Sequence, residues 1–134
     1  MRIIDKGQVG SSTAYMIDTH PGNNIRVISS MGGVSTKETL PVNQWSHVAV
    51  TLGDGAIKVY LNGRPVAEAG NLRGGLTDVA RLPLRLGADS SSRSVFIGLM
   101  DDVRLYRRLL TPEEITGILR AGDSGASPPP KQGN

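Results

Sequence analysis

The sequence predicts an antiparallel all-β domain followed by one short C-terminal helix, and three observations carry the prediction. The chain has 134 residues with 17 Gly and 8 Pro, a turn-rich composition that disfavours a helical bundle. From Arg2 to about Leu110 it breaks into short runs rich in Val, Ile, Leu, Thr and Tyr, punctuated by Gly, Asn, Asp, Ser or Pro about every eight to twelve residues. Only the stretch after Thr111 carries helical grammar. Apolar residues make up 38 % of the chain, enough for one core, and aliphatic side chains must fill it because aromatics are 4 %.

Taken in order, Tyr15-Met-Ile-Asp-Thr and Ile25-Arg-Val-Ile-Ser flank the turn cluster His20-Pro-Gly-Asn-Asn and read as a hairpin. A second hairpin runs from Trp45-Ser-His-Val-Ala-Val-Thr-Leu through Gly53-Asp-Gly into Ala56-Ile-Lys-Val-Tyr-Leu. In its second arm Ile57, Val59 and Leu61 alternate with Lys58, Tyr60 and Asn62, so three aliphatic side chains share the core face. Asn62-Gly63 suits a type I′ turn and returns Arg64-Pro-Val-Ala-Glu as a third strand. The stretch between Gly70 and Pro83 has no period and reads as a long loop or irregular crossover. Strands are then predicted at Leu84-Arg-Leu-Gly, Val95-Phe-Ile-Gly and Met100 to Tyr106. Thr111 as N-cap, Pro112 at the first helical position and Glu114 as the capping-box acid open a helix. Its stripe is Ile115, Ile118 and Leu119, and Gly122 is the expected stop. The domain is therefore expected to span 1–121, with 122–134, rich in Pro, Ser and Gly, as a disordered linker or tail.

Several function classes are disfavoured by composition. A formal charge of +3, from eleven Arg and four Lys scattered among acids, is too diffuse for a nucleic-acid surface. The absence of Cys excludes disulfides, cysteinyl metal sites and thiol nucleophiles. No apolar run approaches the length of a membrane span, and Met1-Arg-Ile-Ile-Asp-Lys6 is no export segment, so membrane insertion is not expected.

Four linked segments resemble the concanavalin A-like lectin/glucanase superfamily, in particular its laminin-G-like jelly-roll modules. They are Trp45-Ser-His47-Val-Ala-Val-Thr; Asp54-Gly55 followed by Val59-Tyr-Leu-Asn62-Gly63; Leu84-Arg-Leu-Gly87; and Phe96-Ile-Gly98-Leu-Met-Asp101-Asp-Val-Arg104-Leu-Tyr106 running into Arg108-Leu-Leu-Thr111-Pro-Glu-Glu114-Ile. The resemblance implies a jelly-roll sandwich and a non-catalytic recognition or adhesion module, binding glycan or an extracellular protein, within a larger secreted or cell-surface protein. The alternative is a structural spacer attached to a carbohydrate-active hydrolase. Modules of this kind usually begin with further strands before the Lys6-Gly7 segment, so the expectation is a sandwich lacking its first strands. Its uncovered sheet edges would favour self-association.

The chemistry legible in the residues is sparse. Family glucanases carry Glu-x-Asp-x-x-Glu on one strand, and this pattern is absent; the four glutamates are Glu38, Glu68, Glu113 and Glu114, so the chain is not expected to be an enzyme. Of the two histidines, His20 falls in a turn and His47 in a strand, where a structural hydrogen bond is the expected role. The resemblance favours Asp101 as a calcium ligand; otherwise its carboxylate pairs with Arg104 or caps a turn. Trp45, the one Trp, is expected to pack in the core or at a sheet edge rather than stack on a sugar, and Tyr60, Tyr106 and Phe96 likewise sit in strands. Ligand-binding candidates are then loop residues chosen by location: Asp54, Arg73, Asp89 and Arg93.

Overall fold

The computed structural model of the chain describes residues 1–11 and 13–123. Eight strands and one helix follow in order: β1 (Arg2–Gly7), β2 (Thr13–Thr19), β3 (Asn24–Ser29), β4 (Gly32–Thr39), β5 (Val48–Gly53), β6 (Ala56–Leu61), β7 (Arg64–Ala69), β8 (Arg85–Leu86) and α1 (Pro112–Asp123). They form a five-stranded sheet in the order β4-β3-β2-β1-β8 and a three-stranded sheet in the order β5-β6-β7. Every neighbouring pair is antiparallel.

Turn chemistry fixes this topology. Asp54 and Gly55 (φ 49° and 70°) join Gly53 to its ladder partner Ala56, and Asn62 and Gly63 (φ 50° and 78°) join Leu61 to Arg64. Positive φ at both central positions is the type I′ geometry that matches strand twist. The expected β5–β6 and β6–β7 connections form with these turns, and the His20 cluster closes the expected β2–β3 hairpin through an N–H bond from His20 to the Asn24 carbonyl (3.0 Å).

Period-2 alternation then decides what is buried. In β6 the side chains of Ile57 and Val59 are fully enclosed and Leu61 nearly so. Ile57 and Val59 meet Ile17, Ile25 and Val27 from the other sheet, with Ile4, Val34, Val48, Leu52 and Val66 packed around them. Each such aliphatic contributes about 1.5–3 kcal/mol by leaving water. The sheets draw close at β4 and β7, where Arg64 holds Glu38 with two guanidinium bonds (2.8 and 3.4 Å).

The helix begins with the expected reciprocal cap: the Glu114 N–H donates to Thr111 Oγ1 (3.2 Å) and the Thr111 N–H to Glu114 Oε2 (2.8 Å). Ile115 is buried, and Thr116 and Leu119 lie over the β6–β7 turn at Gly63. The helix continues through Gly122, the expected stop, to Asp123; residues 124–134, which hold most of the expected tail, lie outside the described residues.

Two sequence expectations fail after β8. The strands predicted at Val95 to Gly98 and at Met100 to Tyr106 do not form, and Leu84-Arg-Leu-Gly yields a ladder of only two residues. The Phe96 N–H reaches the Gly87 carbonyl (2.8 Å), but from Ile97 to Tyr106 no backbone bond to another backbone group is made among the described residues. A strand exists only by pairing, and alternation in one segment says nothing about whether a neighbour offers a free edge. Ile97 and Leu105 are accordingly 81 % and 66 % exposed. Of the two positions expected of Trp45, the core is not the one it takes: it precedes β5, an edge strand, and is 42 % exposed, as is Tyr106, whereas Tyr60 is buried.

Candidate functional site

The loop after β8 is organised by Asp89. Its Oδ1 accepts from the Ser91 N–H (2.9 Å), the Ser91 hydroxyl (2.9 Å) and the Arg93 N–H (3.1 Å). Burial pushes the carboxyl up, but the Ser91 hydroxyl, the Arg93 and Ser91 amides and the Ser94 hydroxyl outweigh it, so its pKa falls to about 2. The expected ligand residue Asp89 is thus a buried anchor of its own loop, and Ser92 takes a left-handed φ of 56° within that turn. What the anchored turn presents outward is Arg93.

Arg93 lines a shallow groove of about 540 Å³ together with Gln8, Val9, Arg85, Ser90 and Ser91. Chain-distant pairing builds its opposite wall: the β1–β8 ladder places Arg85 opposite Asp5, and Arg85 Nη1 donates to the Gly7 carbonyl (3.0 Å). The Val9 N–H donates to Ser90 Oγ (2.8 Å), tying the two loops together. Two guanidiniums, the Ser90 hydroxyl and the Gln8 amide therefore line one concavity, the Ser91 hydroxyl being committed to Asp89, and this polar set suits an anionic or polyhydroxyl group. Gln8 and Arg85 were not singled out by sequence, because the contacts that bring Arg85 and the Val9 segment to the loop of Ser90 join residues 78 and 81 positions apart.

Asp54 borders a different groove, of about 470 Å³, whose other lining residues include Lys58, Glu68, Asn71 and Leu109. Lys58 and Glu68 are cross-strand partners 3.6 Å apart, so its charges are largely paired internally. Leu72 docks beside the Asp54 turn through an N–H bond to the Gly55 carbonyl (2.9 Å), and a side chain at position 55 would meet the Leu72 carbonyl at 3.1 Å. Arg73, next in the chain, is exposed and lines neither groove. Of the four candidates only Asp54 and Arg93 line a groove, and the two grooves share no lining residue.

Asp101 is exposed, and its Oδ1 accepts the Asp102 N–H (2.8 Å) as a turn cap. Asp102 takes the ion pair instead, receiving Arg104 Nε and Nη2 at 2.7 and 2.8 Å. Among the described residues no three His, Cys, Asp or Glu side chains gather as metal ligands. Glu38, Glu68 and Glu114 each hold a basic partner, Arg64, Lys58 and Arg108 respectively. The His47 main chain exchanges bonds with Asn62, through its N–H to Oδ1 (2.9 Å) and its carbonyl from the Asn62 N–H (2.8 Å). No helix among the described residues is long and apolar enough to cross a membrane.

Two antiparallel sheets packed face to face, joined by tight hairpins and followed by a capped helix, define a concanavalin A-like sandwich. The chain belongs to the concanavalin A-like lectin/glucanases superfamily, whose laminin G family model matches residues 1–116. It is similar to adhesion G-protein coupled receptor V1 of Danio rerio, 33 % identical over 82 residues, which is 60 % of this chain and 1 % of that protein. It is similar also to usherin of Homo sapiens, 31 % identical over 94 residues, 67 % of this chain and 2 % of the relative. The chain thus spans a very small part of these relatives. Among solved structures it resembles residues 221–444 of an S-layer domain-containing protein from Clostridium thermocellum, with a TM-score of 0.54 at 24 % identity, covering 89 % of this chain and 62 % of that one.

Proposed function

We propose that the chain is a non-catalytic recognition and adhesion module of an extracellular or cell-surface protein, and that it grips an anionic group of a glycan in the Arg85–Arg93 groove. The observation that carries this reading is the groove itself: a buried, hydrogen-bonded Asp89 fixes the turn that presents Arg93, while β8 fixes Arg85 on the other wall. A rigid scaffold under a donor-rich loop is how binding sites on β-sandwiches are built. The similarity to an adhesion receptor and the engagement of Glu38, Glu68 and Glu114 in ion pairs support a binding rather than a catalytic role.

The exposure of Trp45 favours a second reading, in which its ring stacks on the apolar face of a neutral sugar. A glycan array carrying neutral, uronate-bearing and sulfated glycans separates the two. Binding confined to anionic glycans and weakened roughly tenfold or more by Arg93→Ala, with Trp45→Ala neutral, is the expected result. Neutral hits abolished by Trp45→Ala would replace the groove with the stacking site, and a blank array would favour the structural spacer.

A further inference from the structure

The two walls of the Arg85–Arg93 groove are held in place by different means. On one side the Asp89 turn is closed internally: Asp89 Oδ1 takes the Ser91 N–H, the Ser91 hydroxyl and the Arg93 N–H, and the Asp89 carbonyl takes the Ser92 N–H at 3.3 Å. The opposite wall has a fixed base and a loose rim. Its base is Arg85, held by the β1–β8 ladder and by its Nη1 bond to the Gly7 carbonyl. Its rim is the exposed connection that leaves β1 at Gln8 and Val9, closed on itself by the Ser11 N–H bond to the Gln8 carbonyl (3.1 Å) and a left-handed Gly10 (φ 79°). Val9 is 55 % exposed, so apolar packing does little to hold this rim, and a side chain at position 10 would meet nothing within 4 Å. Among the described residues, one hydrogen bond joins residues 8–11 to residues 88–94, from the Val9 N–H to Ser90 Oγ at 2.8 Å.

We infer that Ser90 is a positioning residue of this groove: its hydroxyl oxygen latches the Gln8–Ser11 connection to the Asp89 turn and so sets the distance between Gln8 and Arg93. The inference rests on the proposed glycan reading for what the groove grips, while the latch is a property of the free chain. The acceptor stands on the wall that Asp89 fixes, and the donor stands on the rim, so breaking the bond frees Gln8 and leaves Arg93 and Arg85 in place. The adjacent serines thus divide two tasks. Ser91 gives its proton to Asp89 and builds the turn, and Ser90 ties the opposite rim to it. One hydrogen bond between exposed loops shifts the balance of closed and opened groove by roughly threefold to tenfold. A ligand that needs both walls at once binds the closed form, so its affinity falls by up to that factor when the latch is lost.

The test compares Ser90→Ala and Ser90→Thr in the full 134-residue chain, free and with a sulfated glucan oligosaccharide as the probe. In the free chain, hydrogen exchange at the Val9 amide should accelerate roughly threefold to tenfold in Ser90→Ala and return to the wild-type rate in Ser90→Thr, which restores the hydroxyl. The Ser91 and Arg93 amides should stay protected in both variants, because their acceptor is Asp89. The melting temperature should move by less than about 2 °C, since the bond joins exposed loops. Probe affinity should fall about threefold in Ser90→Ala, recover in Ser90→Thr, and fall no further when Ser90→Ala is added to Gln8→Ala, because a latch acts through the wall it holds. Losses that add would make Ser90 a ligand contact in its own right, and a Val9 amide indifferent to Ser90→Ala would mean that no latch exists; either result overturns the inference. If wild type binds neither this probe nor any anionic glycan of the array, the glycan reading falls and the Val9 amide alone decides the latch.

Discussion

Asp89 shows how a residue chosen for binding can instead be the one that makes binding geometry available. Its carboxylate is held at about 2, against burial, by hydroxyl and amide donors of its own turn, and Glu114 is likewise held at about 2 by Arg108 and the Thr111 amide. Both carboxyls lie below their ordinary values of 3.8 and 4.5, so the folded state binds their protons less readily than the unfolded chain does. Their contribution to stability is therefore complete above about pH 5 and is lost as the pH falls through 4.5 toward 2. Melting temperature measured from pH 7 to pH 2 should decline over that window, and the decline should be shallower in Asp89→Asn. At neutral pH the same substitution should lower the melting temperature by about 4 °C and weaken ligand binding by loosening Arg93. A variant that melts like wild type but binds less well would instead make Asp89 a ligand contact.

At the scale of elements, what was legible in the sequence was what is local. Asn62-Gly63 and Asp54-Gly55 announced their hairpins because the turn type is chosen by the residues in it, and the alternation of Ile57, Val59 and Leu61 announced the buried face of β6. Thr111 and Glu114 announced the helix for the same reason. Val95 to Gly98 and Met100 to Tyr106 were misread because a strand depends on a partner elsewhere in the chain, and Arg85 was missed as a groove residue because a long-range ladder with β1 places it there. These elements differ in how much they bear. Ile57→Ala, at a fully enclosed site, should cost about 2–5 kcal/mol. Gly63→Ala, which must hold φ near 78° beneath Leu119, should cost about 1 kcal/mol. Urea unfolding of both variants would check the order, and a larger loss at Gly63 would mean that the turn rather than the core limits stability.

For the whole molecule the two sheets share one core, and that has a measurable consequence. Ile17, Ile25 and Val27 come from the five-stranded sheet and Ile57 and Val59 from the three-stranded one. Neither sheet can leave without exposing the inner face of the other, and the Arg64–Glu38 pair joins them at β4 and β7. Separating the sheets would uncover most of the enclosed aliphatic surface before any conformational entropy from the second sheet was regained, so a half-unfolded state is disfavoured. Trp45, the single Trp, precedes β5 and reports on the three-stranded sheet by fluorescence, whereas far-UV circular dichroism is weighted toward the larger sheet. In urea the two signals should give one midpoint and one slope. Ile25→Val, placed in the five-stranded sheet, should move both midpoints together by about 0.5–1.5 kcal/mol equivalent, although Trp45 stands before a strand of the other sheet. If the fluorescence midpoint stayed fixed while the dichroism midpoint fell, the sheets would be independent folding units and the shared core would not couple them.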